Sequence, residues 1–95
     1  MKVEDKMKDA LSKCISVDCS SNTKVCCEFG LKIVFLHENI IFMEYDGNKW
    51  VWHKGFHTKT TASRLRALGA NVAMKNGKLH LNGKPMIEDK PYLIS

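Results

Sequence analysis

The residues best equipped for chemistry in this 95-residue chain are four cysteines, four histidines and an uneven set of lysines and arginines. Cys14, Cys19, Cys26 and Cys27 have the spacing C-x4-C-x6-C-C. Structural zinc sites favour short paired Cys knuckles instead. Adjacent Cys26 and Cys27 point to opposite faces if they lie in a strand, so one metal does not readily take both. A small Cys/His metal protein would have to recruit His37 as well. The other readings are free thiols that pack as small hydrophobes, or a regulatory disulfide. A Cys–His nucleophilic pair lacks any visible third group to orient it. His37 and His53 fall two strand spacings apart, about 10 Å, too far to share a metal unaided. His57 and His80 read as surface or hydrogen-bonded histidines. No cofactor is implied, and the expectation is a protein without catalytic activity.

Charge carries more information. Residues 1–46 hold six Lys and eight carboxylates, whereas residues 47–87 hold eight Lys/Arg and no carboxylate at all. The net charge is +5. An acid-free block of this length attracts phosphates or an acidic protein surface. Its cations sit among Trp50, Trp52, Phe56 and three histidines, a mixture suited to backbone phosphates and stacked bases. Phe56, on an exit loop, is the stacking candidate, because the strand register places Trp50 and Trp52 on a core face. Thr58, Thr60 and Thr61 lead into a short helix, with Thr60 or Thr61 as N-cap. A helix start with hydroxyls, Lys59 and Arg64 nearby is a ready phosphate site; read more plainly, it is a cap beside a solvated arginine. The chain has no Gly-rich loop ending in Lys-Ser/Thr, which excludes a Walker-type nucleotide site. The candidate binding residues are therefore Lys54, Phe56, Lys59, Thr60, Arg64, Arg66, Lys75 and Lys78.

The elements that must position these residues are legible from periodicity. The size suits one domain, with no apolar run near the roughly 18 to 20 residues of a membrane span. The N-terminus is charged and lacks an apolar signal core, so the expected location is cytoplasmic. Val3, Met7, Ala10, Leu11 and Cys14 recur at helical spacing. A loop follows, then a short strand near Lys24–Phe29, a clear strand from Leu31 to His37, a Glu38-Asn39 turn, and a strand from Ile40 to Tyr45. Asp46-Gly47 is a two-residue hairpin signal. Its register puts Tyr45, Met43, Ile41, Trp50 and Trp52 on one face, read as the core face. Glu44, Lys49, Phe42, Val51, Ile40 and His53 take the other, with Phe35 and Ile33 added by the Glu38-Asn39 turn. Both faces are substantially apolar, so a helix on each side, or a homodimer through one apolar face, would cover them.

A short helix from Thr61 to Leu68 places Leu65 and Leu68 inward and Arg64 and Arg66 outward, and stops at Gly69. Asn76-Gly77 makes a second hairpin that faces Lys75 with Lys78 and segregates Val72, Met74, Leu79 and Leu81 on one side. The tail from Pro85 is extended and ends with Tyr92, Leu93 and Ile94 on the core. The fold class is α+β: an antiparallel sheet of about four to six strands, an N-terminal amphipathic helix and one short helix.

The stretch Gly55, His57, Thr58, Thr60, Thr61, Arg64, Leu65, Ala67 and Leu68 has the form G-x-H-T-x-T-T-x-x-R-L-x-A-L. With the basic hairpin from Lys75 to Leu81, it resembles a group of small uncharacterised bacteriophage-encoded proteins. The resemblance spans about Leu31 to Ile94. Position 56 is Phe where those proteins commonly have Trp, and the Cys-bearing first third looks particular to this chain. The resemblance implies a phage origin, action in the host cytoplasm and a host-interaction role; it brings no catalytic residue. Two readings remain: phosphate contacts to nucleic acid, or inhibition of a host defence or nucleic-acid-processing protein through its acidic surface.

Overall fold

The computed structural model describes residues 2–94. It contains helix α1 (Val3–Lys13), strands β1 (Val17–Asp18), β2 (Thr23–Glu28), β3 (Leu31–Leu36), β4 (Asn39–Tyr45) and β5 (Asn48–Val51), and helix α2 (Lys59–Ala67). Strands β6 (Val72–Lys75), β7 (Lys78–Leu81), β8 (Lys84–Pro85) and β9 (Tyr92–Leu93) follow. An antiparallel six-stranded sheet runs in the order β1-β2-β3-β4-β5-β9, and β6-β7-β8 form a second, three-stranded sheet. The α+β expectation holds. No helix among the described residues is long and apolar enough to cross a membrane.

Both tight hairpins form where the dipeptides place them. Asp46-Gly47 and Asn76-Gly77 adopt positive φ at both positions, which matches the twist of the flanking strands. Tyr45 pairs with Asn48 and Lys75 with Lys78. The β3–β4 turn differs from expectation. It is His37-Glu38, with φ of 50° and 65°, so Leu36 pairs with Asn39. Asn39 helps to hold it, its side-chain amide donating to the His37 carbonyl at 2.9 Å. A bulge in β4 then shifts the register between Val34 and Phe35. The turn and the bulge together put Val34, not Ile33 or Phe35, opposite Phe42.

The β4–β5 pairs are those expected, but the core lies on the other side of them from the one expected. Val25, Val34, Phe42 and Val51 lie across from one another and are fully or almost fully buried. The bulge turns Ile41 inward as well, and it too is inaccessible. The facing row Cys26, Ile33, Met43, Trp50, Leu93 runs across the opposite side. The two tryptophans, expected in the core, are half-buried on that outer side, and Tyr45 is exposed. The misleading signal was the Glu44–Lys49 pair, which shares the inner side with Phe42. It lines an open cleft of about 300 Å³ with Lys8, Ser12 and Leu68, between the helices and the sheet, where its charges meet solvent.

Both helices cover the inner side. Met7 and Ala10 of α1 and Ala62 and Leu65 of α2 join Val25, Val34, Phe42 and Val51 in one core cluster. Ser63 and Arg64 of α2 bond to Glu4 of α1, so the helices lie side by side. The expected arrangement of one helix per face is therefore corrected. The smaller sheet closes the core from beyond α2, with Val72, Leu79 and Leu81 buried. Tyr92 and Ile94 pack on the core, while Leu93 faces outward.

Helix α2 begins two residues earlier than Thr61. Thr58 is its N-cap, accepting the Thr61 backbone N–H at 3.1 Å on its hydroxyl. Thr61, the expected cap, is buried in the first turn with its hydroxyl 3.0 Å from that of Thr58.

Candidate nucleic-acid interface

The eight candidate residues separate into three groups. Arg64 is the first, and it corrects an expectation. It is 9% exposed, not outward-facing. Its Nε donates to the Thr23 hydroxyl at 3.2 Å and its Nη1 forms an ion pair with Glu4. The Ser63 hydroxyl, 2.7 Å from the same carboxylate, holds the Glu4 carboxyl below the usual range, helped by the backbone and Arg64. Arg64 thus locks α2 to α1 and β2, and no guanidinium is left for a phosphate.

Lys54, Phe56 and Thr60 form the second group. Lys54 Nζ lies 3.5 Å from Asp89 and 5.8 Å from the Trp52 ring centroid, so the acidic tail partly neutralises it. Asp89's neighbour Glu88 lies over Gly55, where a Cβ would meet its Oε1 at 2.7 Å; with φ at +81°, the site accepts only glycine without strain. Phe56 is half-buried, its ring 5.5 Å from that of His37. It is not free to stack on a base. Thr60 is half-buried in the first turn of α2.

Lys59, Arg66, Lys75 and Lys78 remain, all exposed. Arg66 is steadied by donating to the Val72 carbonyl at 3.1 Å. Lys75 and Lys78 face each other across the end of the β6–β7 hairpin. The outward side of that small sheet carries Ala73, Lys75, Lys78 and His80 and no carboxylate. Lys84 on β8, which the candidate set omitted, is also exposed, but it pairs with Leu81 and so starts from the other side of the small sheet.

His57 ties the α2 entrance to this hairpin. Its Nδ1 accepts the Leu79 backbone N–H at 3.0 Å. Its ring lies 4.5 Å from that of buried His53. His53 is fully tied, its Nδ1 accepting from Gly55 N–H at 2.8 Å and its Nε2 3.1 Å from the Met86 carbonyl. Burial, then His53 and Lys78, push the His57 pKa below its ordinary 6.5, with Glu88 opposing. The folded state therefore binds this proton less readily than the unfolded chain. Its contribution is complete above about pH 6.5 and is lost as pH falls from there through the folded-state pKa. Urea unfolding at pH 7.5 and pH 5.5 should show the lower stability at pH 5.5, and a His57→Gln variant should flatten that difference.

The four cysteines do not gather into one site, although the Cys14 thiol lies against that of Cys27. Cys14 is exposed, Cys19 is buried, and Cys26 and Cys27 point to opposite sides of β2. Burial raises the Cys19 thiol; burial and the Cys14 thiol raise that of Cys27. Among the described residues no three His, Cys, Asp or Glu side chains come together as a metal-holding group. An open polar cleft of about 510 Å³ lies at the β1–β2 and β3–β4 loops, lined among others by Asp18, Asn22, Lys24, His37 and Glu38. It shares no lining residue with the lysines of the β6–β7 end.

No curated protein and no solved structure matches the chain. A family match does exist, and it spans the N-terminal third that looked particular to this chain, so α1 and the cysteine-bearing strand belong to the shared unit. The family is the Kyanoviridae Gp96 protein, matched over residues 1–94, and the chain belongs to this phage protein family.

Proposed function

We propose that this phage protein is a non-catalytic binding protein that grips nucleic-acid phosphates with the β6–β7 end of the fold. The observation that supports this most is the facing pair Lys75 and Lys78 on a carboxylate-free sheet side. Lys59, Arg66 and Lys84 add further exposed cations. Neither Phe56 nor the tryptophans flank these cations as free rings. The chemistry is then attraction to the backbone, without base stacking or base reading. Affinity should be weak, similar for many sequences, and strongly salt-dependent. Labelled duplex and single-stranded oligonucleotides titrated at low salt should both show binding; no binding to either would remove the reading.

A second reading has its own support. The same cations, held on a short rigid hairpin with no stacking partner, also suit an acidic surface of a host defence or nucleic-acid-processing protein. In that case a single stoichiometric partner survives moderate salt and nuclease treatment of a host lysate. Loss of the captured partner on nuclease treatment returns the argument to nucleic acid.

A further inference from the structure

The outer side of the six-stranded sheet is the largest feature that neither binding reading uses. Both helices and the small sheet close the inner side, and Ile33, Phe35, Ile40, Met43 and Trp50 lie outside the core cluster. Each is half-buried. Strands β2, β3 and β4 run six or seven residues and β5 four; four strands at about 4.8 Å spacing and up to six residues at about 3.3 Å give a footprint near 19 by 20 Å. A contiguous apolar strip of this kind marks an interaction surface.

We propose that a second copy of this chain covers it, sheet on sheet, around a twofold axis that follows the row Cys26, Ile33, Met43, Trp50. The charges on this side select that geometry. The ends of β2 contribute Lys24 and Glu28, both exposed, on either side of Cys26. A twofold axis across the strands lays β2 on the partner's β2 in the opposite direction. Each Lys24 then meets the partner's Glu28, and apolar rows meet apolar rows. A twofold axis along the strands would instead set β2 over β5, whose outward residues include Asn48 and Trp50, and leave Glu28 without a cation, while Lys24 would keep only Asp18, its neighbour across β1. Sheets packed about 10 Å apart at about 30° keep Lys24 and Glu28 within reach. An isologous contact of this kind closes on itself.

Sedimentation of the reduced full chain should show a species of twice 10.8 kDa. Lys24→Glu and Glu28→Lys, each at an exposed position, should each weaken the dimer by tenfold or more. The double exchange K24E/E28K should return the dissociation constant to within about threefold of the original, in keeping with a coupled pair. A short bismaleimide should join Cys26 to the partner's Cys26, a product lost in Cys26→Ser and kept in Cys14→Ser. Monomeric protein at high micromolar concentration would overturn the proposal. So would a dimer indifferent to either charge reversal, one that the double exchange does not restore, or crosslinking that persists in Cys26→Ser.

Discussion

Arg64→Ala should lower the unfolding free energy by about 3 kcal/mol, the low end for removing one partner of a buried pair. The low end applies because the Glu4 side chain keeps 24% of its exposure. The substitution leaves Glu4 without its cation and opens the seam between α1, α2 and β2. Glu4 retains the Ser63 hydroxyl, so Glu4→Gln should cost less, about 1 kcal/mol. The pair should also couple: the double variant should be more stable than the summed single losses require. The lowered Glu4 pKa has a pH consequence of fixed sign. Its contribution is present above the ordinary value of 4.5 and disappears as pH falls through the folded-state pKa. Arg64→Ala should reduce that acid-side slope only in part, because the Ser63 hydroxyl and the backbone contribute more to it than Arg64 does. Urea unfolding across pH measures all of these. The same variant, under conditions where it is folded, should bind oligonucleotides as well as the unaltered protein, because the Arg64 guanidinium is engaged by Glu4 and Thr23.

The second large effect distinguishes the two sides of the sheet. Phe42→Ala should cost about 4 kcal/mol, the range for deleting a buried aromatic ring. Trp50→Ala, although it removes a larger side chain, should cost about 1 kcal/mol when measured in protein dilute enough to be monomeric. Phe42 is 2% exposed within the core cluster, whereas Trp50 is half-buried outside it. Equal losses, or a larger loss at Trp50, would contradict the observed register.

This pair also marks the boundary of what the chain discloses by itself. Strand and helix periodicities, the two Gly-containing hairpins and the segregation of Val72, Met74, Leu79 and Leu81 follow from local chemistry, and the structure agrees with them. The side of the sheet that faces the core does not follow from local chemistry. Both faces of the β4–β5 hairpin are substantially apolar, and only the long-range packing of the helices decides between them. In β3 the face is set by the bulge at Ile41, marked by neither glycine nor proline, and a one-residue shift of register reverses every side chain. Charge patterning misled in the same way. Glu44 and Lys49 suggested solvent but line an open cleft on the helix side.

For the candidate surface, composition identified the acid-free block but not its long-range partners. Glu4 is sixty residues from Arg64 in sequence, and no local pattern announces their contact. The pairing of Lys54 with Asp89 was similarly out of reach. What survives of the basic face is what a hairpin register could secure: Lys75 beside Lys78. The Thr58 cap was narrowly missed, because three threonines in four positions offer equivalent hydroxyls.

Salt dependence of oligonucleotide binding tests the central proposal most directly. About three phosphate contacts imply a slope of about −2.7 in log affinity against log salt, or ~40-fold weaker binding between about 50 and 200 mM. In K75E/K78E, which alters only exposed hairpin-end positions, the slope should fall by about two contacts' worth and low-salt affinity should drop at least tenfold, with stability unchanged. An unaltered slope in that variant, or binding that ignores salt, would contradict the account.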